Sequence, residues 1–168
     1  IAARASALGS PSRLMLLSAE GKHRDDALRS FTAQGIDPRR IAFVSHRPRN
    51  EYLQRYHDID IALDTVPSNG HTTSLDCLWM GVPVVSLAGE SRVSRGGLSI
   101  LSNLGLPELA AHSEDAYVAV AAQLAGDLPR LAGLRRTLRA RMEASVLMDA
   151  PRFVQGIESA YRAMWRQW

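Results

Sequence analysis

Short apolar runs alternate with longer segments of helical periodicity along most of this chain. Turn-forming residues bound the apolar runs, which is typical of buried strands. Four strands are predicted, at Arg13–Ser18, Ile41–Ser45, Ile59–Thr65 and Val82–Leu87. Within Ile59–Thr65, Ile59, Ile61 and Leu63 alternate with Asp60, Ala62 and Asp64, the period of two that suits a strand.

Apolar residues at helical spacing predict a helix after each of these strands. The predicted helices cover residues 23–36, 47–58, 72–80 and 98–106, and Gly35 and Gly81 provide stop signals for the first and third. The last third of the chain is mostly helical, with helices expected at Glu114–Ala125, Leu128–Ser145 and Pro151–Trp168. The first residues, IAARASALG, read as the end of a helix before a Gly-Ser-Pro stop, and no Met precedes them. We therefore expect a piece of a larger protein.

Strands that alternate with helices are typical of a parallel, doubly wound α/β sheet with right-handed crossovers. A chain of 168 residues is long enough to form one such domain, and we predict a single domain over residues 1–168. In these sheets, ligands bind where loops leave the carboxyl ends of the strands. Three loops should meet at that edge: Ser45–Arg49, Val66–Thr73 and Ala88–Gly97.

Composition excludes several classes of protein. Apolar residues make up 46% and charged residues 22% of the chain, a balance typical of globular proteins. The single cysteine, Cys77, cannot form an internal disulfide and is expected to be a small core residue. No apolar run approaches the length of a membrane span and no signal peptide opens the chain, so we expect a cytoplasmic protein with no membrane partner.

The net charge of +3 favours an anionic ligand only weakly. Basic residues are spread along the whole chain and few aromatic residues are available for stacking, so nucleic-acid binding is the weaker interpretation.

The turn PSNG and the residues after it carry the most specific local chemistry. Gly70 lets a ligand approach the backbone, His71 offers a ring N–H, and Thr72 and Thr73 offer hydroxyls at the start of a helix. Free N–H groups and the helix dipole at that position suit a phosphate or diphosphate. A capping box formed by Thr73 and Asp76 is the competing interpretation, and the local pattern leaves both open.

Arginines accompany this turn at the same edge of the predicted sheet. Arg47, Arg49, Arg92 and Arg95 lie in the flanking loops, and Arg55 follows in a helix. Arginine pairs well with phosphate oxygens. Neither G-x-G-x-x-G nor a P-loop is present, and the five histidines lack the spacing of metal ligands. We therefore expect no metal and no bound cofactor.

The last helix has an apolar stripe that is too rich for a helix exposed on all sides. Its members are Phe153, Ile157, Tyr161, Met164, Trp165 and Trp168. We expect residues 150–168 to pack against another surface, in this domain or in the rest of the protein.

A longer stretch resembles a known family. The segment from Arg40 to Leu106, above all LDT followed by NGHTT..D.LW.G.P.V and then GE….R, is similar to the catalytic half of the protein O-GlcNAc transferase and SPINDLY family. The resemblance implies the C-terminal, Rossmann-like half of a GT-B glycosyltransferase that binds a nucleotide sugar.

The resemblance also implies roles for individual residues. His71, Thr72 and Thr73 would contact the donor diphosphate, and Asp76 would bind the ribose hydroxyls. Further donor contacts are implied for Gly70, for Arg47 and Arg49 near the uracil and ribose, for Arg55 near the nucleotide, and for Arg95 below the diphosphate. The family often has lysine in place of Arg49.

The implied reaction is an inverting, metal-independent transfer of GlcNAc from UDP-GlcNAc to Ser or Thr hydroxyls of acceptor proteins. The general base, a diphosphate-binding lysine, the acceptor site, the N-terminal half and tetratricopeptide repeats would lie outside this chain, which we expect to bind donor without catalysing transfer alone. The alternatives are the same fold using GDP-fucose, and a non-catalytic scaffold that retains a nucleotide site.

Overall fold

The computed structural model describes residues 2–4 and 12–168 of the chain. Within them the strands are β1 (Ala2–Arg4), β2 (Arg13–Leu17), β3 (Ile41–Val44), β4 (Ile61–Asp64), β5 (Val84–Leu87) and β6 (Ala110–Ala111). The four strands predicted from the sequence are present as β2 to β5, each slightly shorter than predicted. β6 was not predicted, because two alanines before a helix have no strand pattern of their own.

The strands form one sheet in the order β3-β2-β1-β4-β5-β6. Leu14 of β2 pairs in parallel with Ile41 of β3, and Ala62 of β4 pairs in parallel with Val84 of β5. β5 and β6 are also parallel. Since β1 is antiparallel to both β2 and β4, all the other strands run in one direction. The carboxyl ends of β3, β4 and β5 therefore share one edge, as predicted.

β1 corrects the expectation of a helix end at the start of the chain. Ala2–Arg4 lies between β2 and β4 and pairs with both. A single helical turn would satisfy few backbone groups, whereas two neighbouring strands offer partners on both sides. Residue 1 and residues 5–11, which include the predicted Gly-Ser-Pro stop, lie outside the described part of the chain.

The helices follow the predicted alternation, with shifts at their ends. They are α1 (Lys22–Ala33), α2 (Arg49–Gln54), α3 (Thr72–Trp79), α4 (Gly96–Asn103), α5 (Glu114–Gly126), α6 (Leu128–Glu143) and α7 (Ala150–Gln167). The helix predicted at residues 47–58 divides into α2 and a 3-10 helix, Arg55–Asp58. α4 begins at Gly96 instead of residue 98, which brings its N-terminus to the edge of the sheet.

The core lies around the centre of the sheet. Val84, Val85 and Leu87 of β5 are buried, and α3, α4 and α5 contact this strand. Ala62 and Asp64 of β4 are buried as well, although the alternating sequence pattern groups them apart from the large apolar residues. The reason is that α3 and α5 also contact β4, so the strand is central and not half-exposed.

α6 closes the core beside α3. Leu131, Leu134, Leu138 and Met142 form its buried stripe, and Arg136, Arg139 and Arg141 are exposed. The guanidinium of Arg139 lies 3.9 Å from the centre of the Trp79 ring. The helix predicted at Leu128–Ser145 is present as α6.

α7 carries the predicted apolar stripe on its surface. No residue of α7 is buried among the described residues, and Trp165 and Trp168 are almost fully exposed. The predicted packing of this helix against the remainder of the protein stays a prediction. None of the helices in the described part of the chain combines the length and hydropathy needed to cross a bilayer.

Candidate functional site

The turn before α3 is fixed to the end of β4 by a buried carboxylate. One oxygen of Asp64 accepts a hydrogen bond from the Gly70 N–H at 2.7 Å, and the other accepts from the Ser86 hydroxyl at 3.0 Å. Burial raises the pKa of the Asp64 carboxyl, and these two hydrogen bonds oppose part of the shift. A side chain at Gly70 would collide with the Thr73 hydroxyl, so this tight approach requires glycine. The turn is therefore held rigidly at the edge of the sheet.

The start of α3 presents several hydrogen-bond donors together. His71 is the N-cap residue, and its carbonyl accepts the first backbone bond, from the Leu75 N–H at 3.1 Å. The N–H groups of Thr72, Thr73 and Ser74 have no acceptor among the described residues. His71, Thr72 and Thr73 are exposed, so their side chains are accessible to a ligand. This arrangement can bind an anion.

A second helix begins beside the first. A Cβ at Gly96, the first residue of α4, would collide with the ring of His71. The imidazole therefore lies directly against the start of α4, and the N-termini of α3 and α4 converge. Because each helix N-terminus carries partial positive charge, the two together favour an anion between them.

The capping-box interpretation of Thr73 and Asp76 is wrong. No side chain caps the N-terminus of α3, and Asp76 instead accepts two hydrogen bonds from the guanidinium of Arg49, at 2.7 and 2.9 Å. The bond to Asp76 raises the pKa of Arg49. The Arg49 side chain is 64% exposed while that of Asp76 is 11% exposed. The structure thus joins two of the predicted site residues in a bidentate pair.

A cavity of about 180 Å³ lies next to this pair, between β2, β3 and α3. We call it the aromatic cavity. Tyr52 and Tyr56 form its aromatic wall with ring centres 5.3 Å apart, and their hydroxyls are hydrogen-bonded to each other. Arg47 and Arg55 line it too, and Arg55 also forms an ion pair with Asp58 at 3.6 Å.

Thr73 lines both the aromatic cavity and a neighbouring cavity of about 200 Å³. The second cavity is polar and is lined by Asp64, Ser68, Gly70 and Ser74 as well as Thr73. The donor groups at the start of α3 therefore lie between an aromatic cavity and a polar one.

The two remaining predicted arginines lie in the segment that leads into α4. Arg95 lies at the N-cap of α4, beside Gly96, and donates to the Gly89 carbonyl at 3.2 Å. Arg92 is exposed in the same loop.

Cys77 lines both cavities but is buried, and burial raises its pKa to about 12. Its thiol stays protonated at neutral pH, as expected of a core residue.

The sequence reasoning missed three residues whose buried hydrogen bonds hold the candidate site together: Asp64, Asn69 and Ser86. Asp64 and Ser86 looked like ordinary strand residues, and the signal available was a polar residue within an apolar run. Asn69 belonged to the noted Asn-Gly turn, yet its buried contacts could not be read from the turn.

No group of three histidine, cysteine, aspartate or glutamate side chains in the described residues could hold a metal ion. Both carboxylates near the start of α3 already accept hydrogen bonds from the protein, Asp64 from Gly70 and Ser86, and Asp76 from Arg49.

Comparison with known proteins gives consistent matches. Residues 10–157 match the profile of Glycosyl transferase family 41. The chain is 42% identical over 135 residues to a probable UDP-N-acetylglucosamine–peptide N-acetylglucosaminyltransferase SPINDLY of Petunia hybrida, covering 80% of this chain and 14% of that protein. It is 34% identical over 145 residues to the UDP-N-acetylglucosamine–peptide N-acetylglucosaminyltransferase of Caenorhabditis elegans, covering 86% and 13%.

A solved structure also matches. A mutant of the O-GlcNAc transferase of Thermobaculum terrenum aligns with a TM-score of 0.85 and 39% identity, over 92% of this chain and 30% of that chain. The α/β fold class predicted from the sequence is thereby confirmed. The chain spans about a seventh of the length of the Petunia and Caenorhabditis relatives.

Proposed function

Because the chain belongs to glycosyltransferase family 41, we propose that it is the donor-binding half of a GT-B protein O-glycosyltransferase. The donor is UDP-GlcNAc, and the acceptors are Ser and Thr hydroxyls of proteins. One observation carries the proposal: the start of α3 has N–H groups without an acceptor among the described residues, beside the imidazole of His71 and the hydroxyls of Thr72 and Thr73, all three of which are exposed residues.

These groups suit the diphosphate of a nucleotide sugar. In an inverting transfer, the acceptor oxygen attacks the anomeric carbon from the face opposite the diphosphate, and the bond to UDP breaks. Negative charge then builds on the leaving diphosphate. Donors already held in position stabilise this charge without reorganisation, and His71, Thr72 and Thr73 have that role in our proposal.

The neighbouring residues suit the nucleoside. The aromatic cavity offers the rings of Tyr52 and Tyr56 and two arginines, Arg47 and Arg55, and Thr73 lines the same cavity. A carboxylate has about four acceptor positions, so Asp76 can accept the ribose hydroxyls while it remains paired with Arg49. Arg95, beside the start of α4, would lie below the diphosphate.

The proposal includes transfer without a metal ion. The groups around the start of α3 are N–H donors, hydroxyls and guanidiniums, all of which offset phosphate charge directly.

The general base and the acceptor site belong to the rest of the enzyme in this proposal. We therefore expect these 168 residues to supply donor binding, with transfer requiring the full-length protein. The cytoplasmic location and the tetratricopeptide repeats stay predictions.

The test is the thermal stability of the full-length protein with UDP, with GDP and with orthophosphate. A ligand at a hundred times its Kd stabilises the native state by about 2.7 kcal/mol. We expect a clear upward shift with UDP and little with orthophosphate. A shift with GDP alone would replace the donor by a guanine nucleotide sugar, and no shift with either nucleotide would refute the proposal.

A further inference from the structure

Asn69 is a buried side chain at the centre of the candidate site. It is only 4% exposed, yet it lies in the loop between β4 and α3. Its amide oxygen accepts from the Gly97 N–H at 3.2 Å. Its amide nitrogen donates to the carbonyls of Thr65 at 3.3 Å and Leu87 at 3.2 Å. Both ends of the amide are therefore engaged.

The partners of this amide belong to different elements. Thr65 follows the end of β4, Leu87 is the last residue of β5, and Gly97 lies in the first turn of α4. The backbone N–H of Asn69 adds a bond to the Val93 carbonyl at 2.9 Å, in the loop before α4. One residue thus ties together the two strand ends and the second helix.

The same residue stands immediately before the donor groups. Gly70 and His71 follow it directly, and the His71 ring lies against Gly96. The bond from Gly97 to Asn69 therefore sets the position of the α4 N-terminus relative to the α3 N-terminus.

We propose that Asn69 is a positioning residue for donor binding, whose amide holds the N-termini of α3 and α4 in the spacing that a diphosphate requires. This inference rests on the proposed function, because binding of UDP is its readout. Asn69 does not touch the ligand in this proposal, and it acts through Gly97 and the turn that carries His71.

The requirement is specific to an amide. The two carbonyls and the N–H that surround this side chain need two hydrogen-bond donors and one acceptor, and the asparagine amide has both. Aspartate has the same shape but no donor when ionised. In Asn69→Asp a carboxylate oxygen would face two carbonyl oxygens in a buried position, which favours protonation. The protonated form regains one donor.

This chemistry gives a signature in the pH dependence. For Asn69→Asp, the ratio of its UDP Kd to the wild-type Kd should fall as the pH is lowered. The charged and titratable side chains on the surrounding elements include Asp64, His71, Asp76, Glu90, Arg92 and Arg95. They are present in both proteins, as is the titration of UDP itself, so the ratio isolates the substituted side chain.

The experiment measures UDP affinity by calorimetry in the full-length protein at pH 8 and at pH 6. We expect Asn69→Ala and Asn69→Asp to weaken UDP binding about tenfold at pH 8, the effect of one or two lost hydrogen bonds. At pH 6 the Asn69→Asp variant should recover part of the loss and Asn69→Ala should not. If Asn69→Ala does not fold, it is replaced in the comparison by Asn69→Ser, which has a small hydroxyl in place of the amide.

Asn103 provides the matched control. Its amide also donates to a backbone carbonyl, that of Ser99 at 2.9 Å, but it is exposed at the far end of α4. Asn103→Asp should leave UDP affinity unchanged at both pH values. Asn69 variants that fold and bind UDP as wild type does at both pH values would overturn the inference. Wild-type protein that fails to bind UDP would overturn the proposed function and, with it, this role.

Discussion

At the scale of single residues, a substitution at Asp76 distinguishes a role in ligand binding from a role in helix capping. It caps no helix in this structure and pairs instead with an exposed guanidinium, so its loss should cost little stability. We predict that Asp76→Ala weakens UDP binding in the full-length protein while the thermal transition changes little. Calorimetry with UDP and a melting curve measure the two effects.

Asp127 is the matched control for Asp76, because it is a genuine cap. Its carboxylate accepts from the Arg130 N–H at 2.9 Å at the start of α6. Asp127→Ala should cost about 0.5–2 kcal/mol of stability and leave UDP affinity unchanged. If Asp76→Ala showed that same pattern, the ribose assignment would be wrong.

His71 is the residue whose effect should appear in turnover. A hydrogen bond from its ring to the diphosphate strengthens as the leaving group gains charge, so it contributes more to the transition state than to the bound donor. We predict that His71→Ala lowers kcat by about 10²–10³ and weakens donor binding by less. Steady-state kinetics of the full-length enzyme measure this. His57 occupies an exposed position in the 3-10 helix before β4, and His57→Ala should have no such effect. Unchanged kcat of His71→Ala at saturating donor would show that His71 has no part in the transfer step.

At the scale of elements, the close approach of α3 and α4 depends on Gly96. A methyl group there would collide with the His71 ring and push the imidazole or the start of α4 away. We predict that Gly96→Ala weakens UDP binding in the full-length protein, as measured by calorimetry.

Gly133 in α6 offers the contrasting substitution. A Cβ there meets nothing within 4 Å. Gly133→Ala should raise stability by about 0.5–1 kcal/mol, because alanine is the better helix former, and should leave UDP binding as it was. Equal UDP affinity in the Gly96→Ala protein would show that the spacing of the two helices is unimportant.

At the scale of the whole molecule, the chemistry at the edge of the sheet predicts donor binding without a metal. N–H donors, hydroxyls and arginines lie around the start of α3, and each of them can offset phosphate charge directly. We predict equal UDP affinity in EDTA and in Mg²⁺ or Mn²⁺, measured by calorimetry on the full-length protein. Affinity lost in EDTA and restored by either ion would contradict this.

Local patterns in the sequence determined the order of the central elements and the place of the site. Buried apolar runs followed by helical periodicity predicted β2 to β5 and α3. The crossover rule then brought the loops carrying Arg47, Gly70 and Arg95 to one edge. These features could be predicted because each depends on neighbours within one or two helical turns, where side-chain period and stop signals are read directly.

Only the tertiary structure decided how the site is held together. Arg49 and Asp76 pair across 27 positions, and Asn69 reaches Gly97 across 28. Asp64 became a buried anchor only because α3 and α5 pack against β4, and Ala2–Arg4 became a strand only because β2 and β4 offered partners. Such contacts join segments that share no local pattern. Their energies come from burial and from satisfying buried polar groups, and neither exists until the distant segments meet.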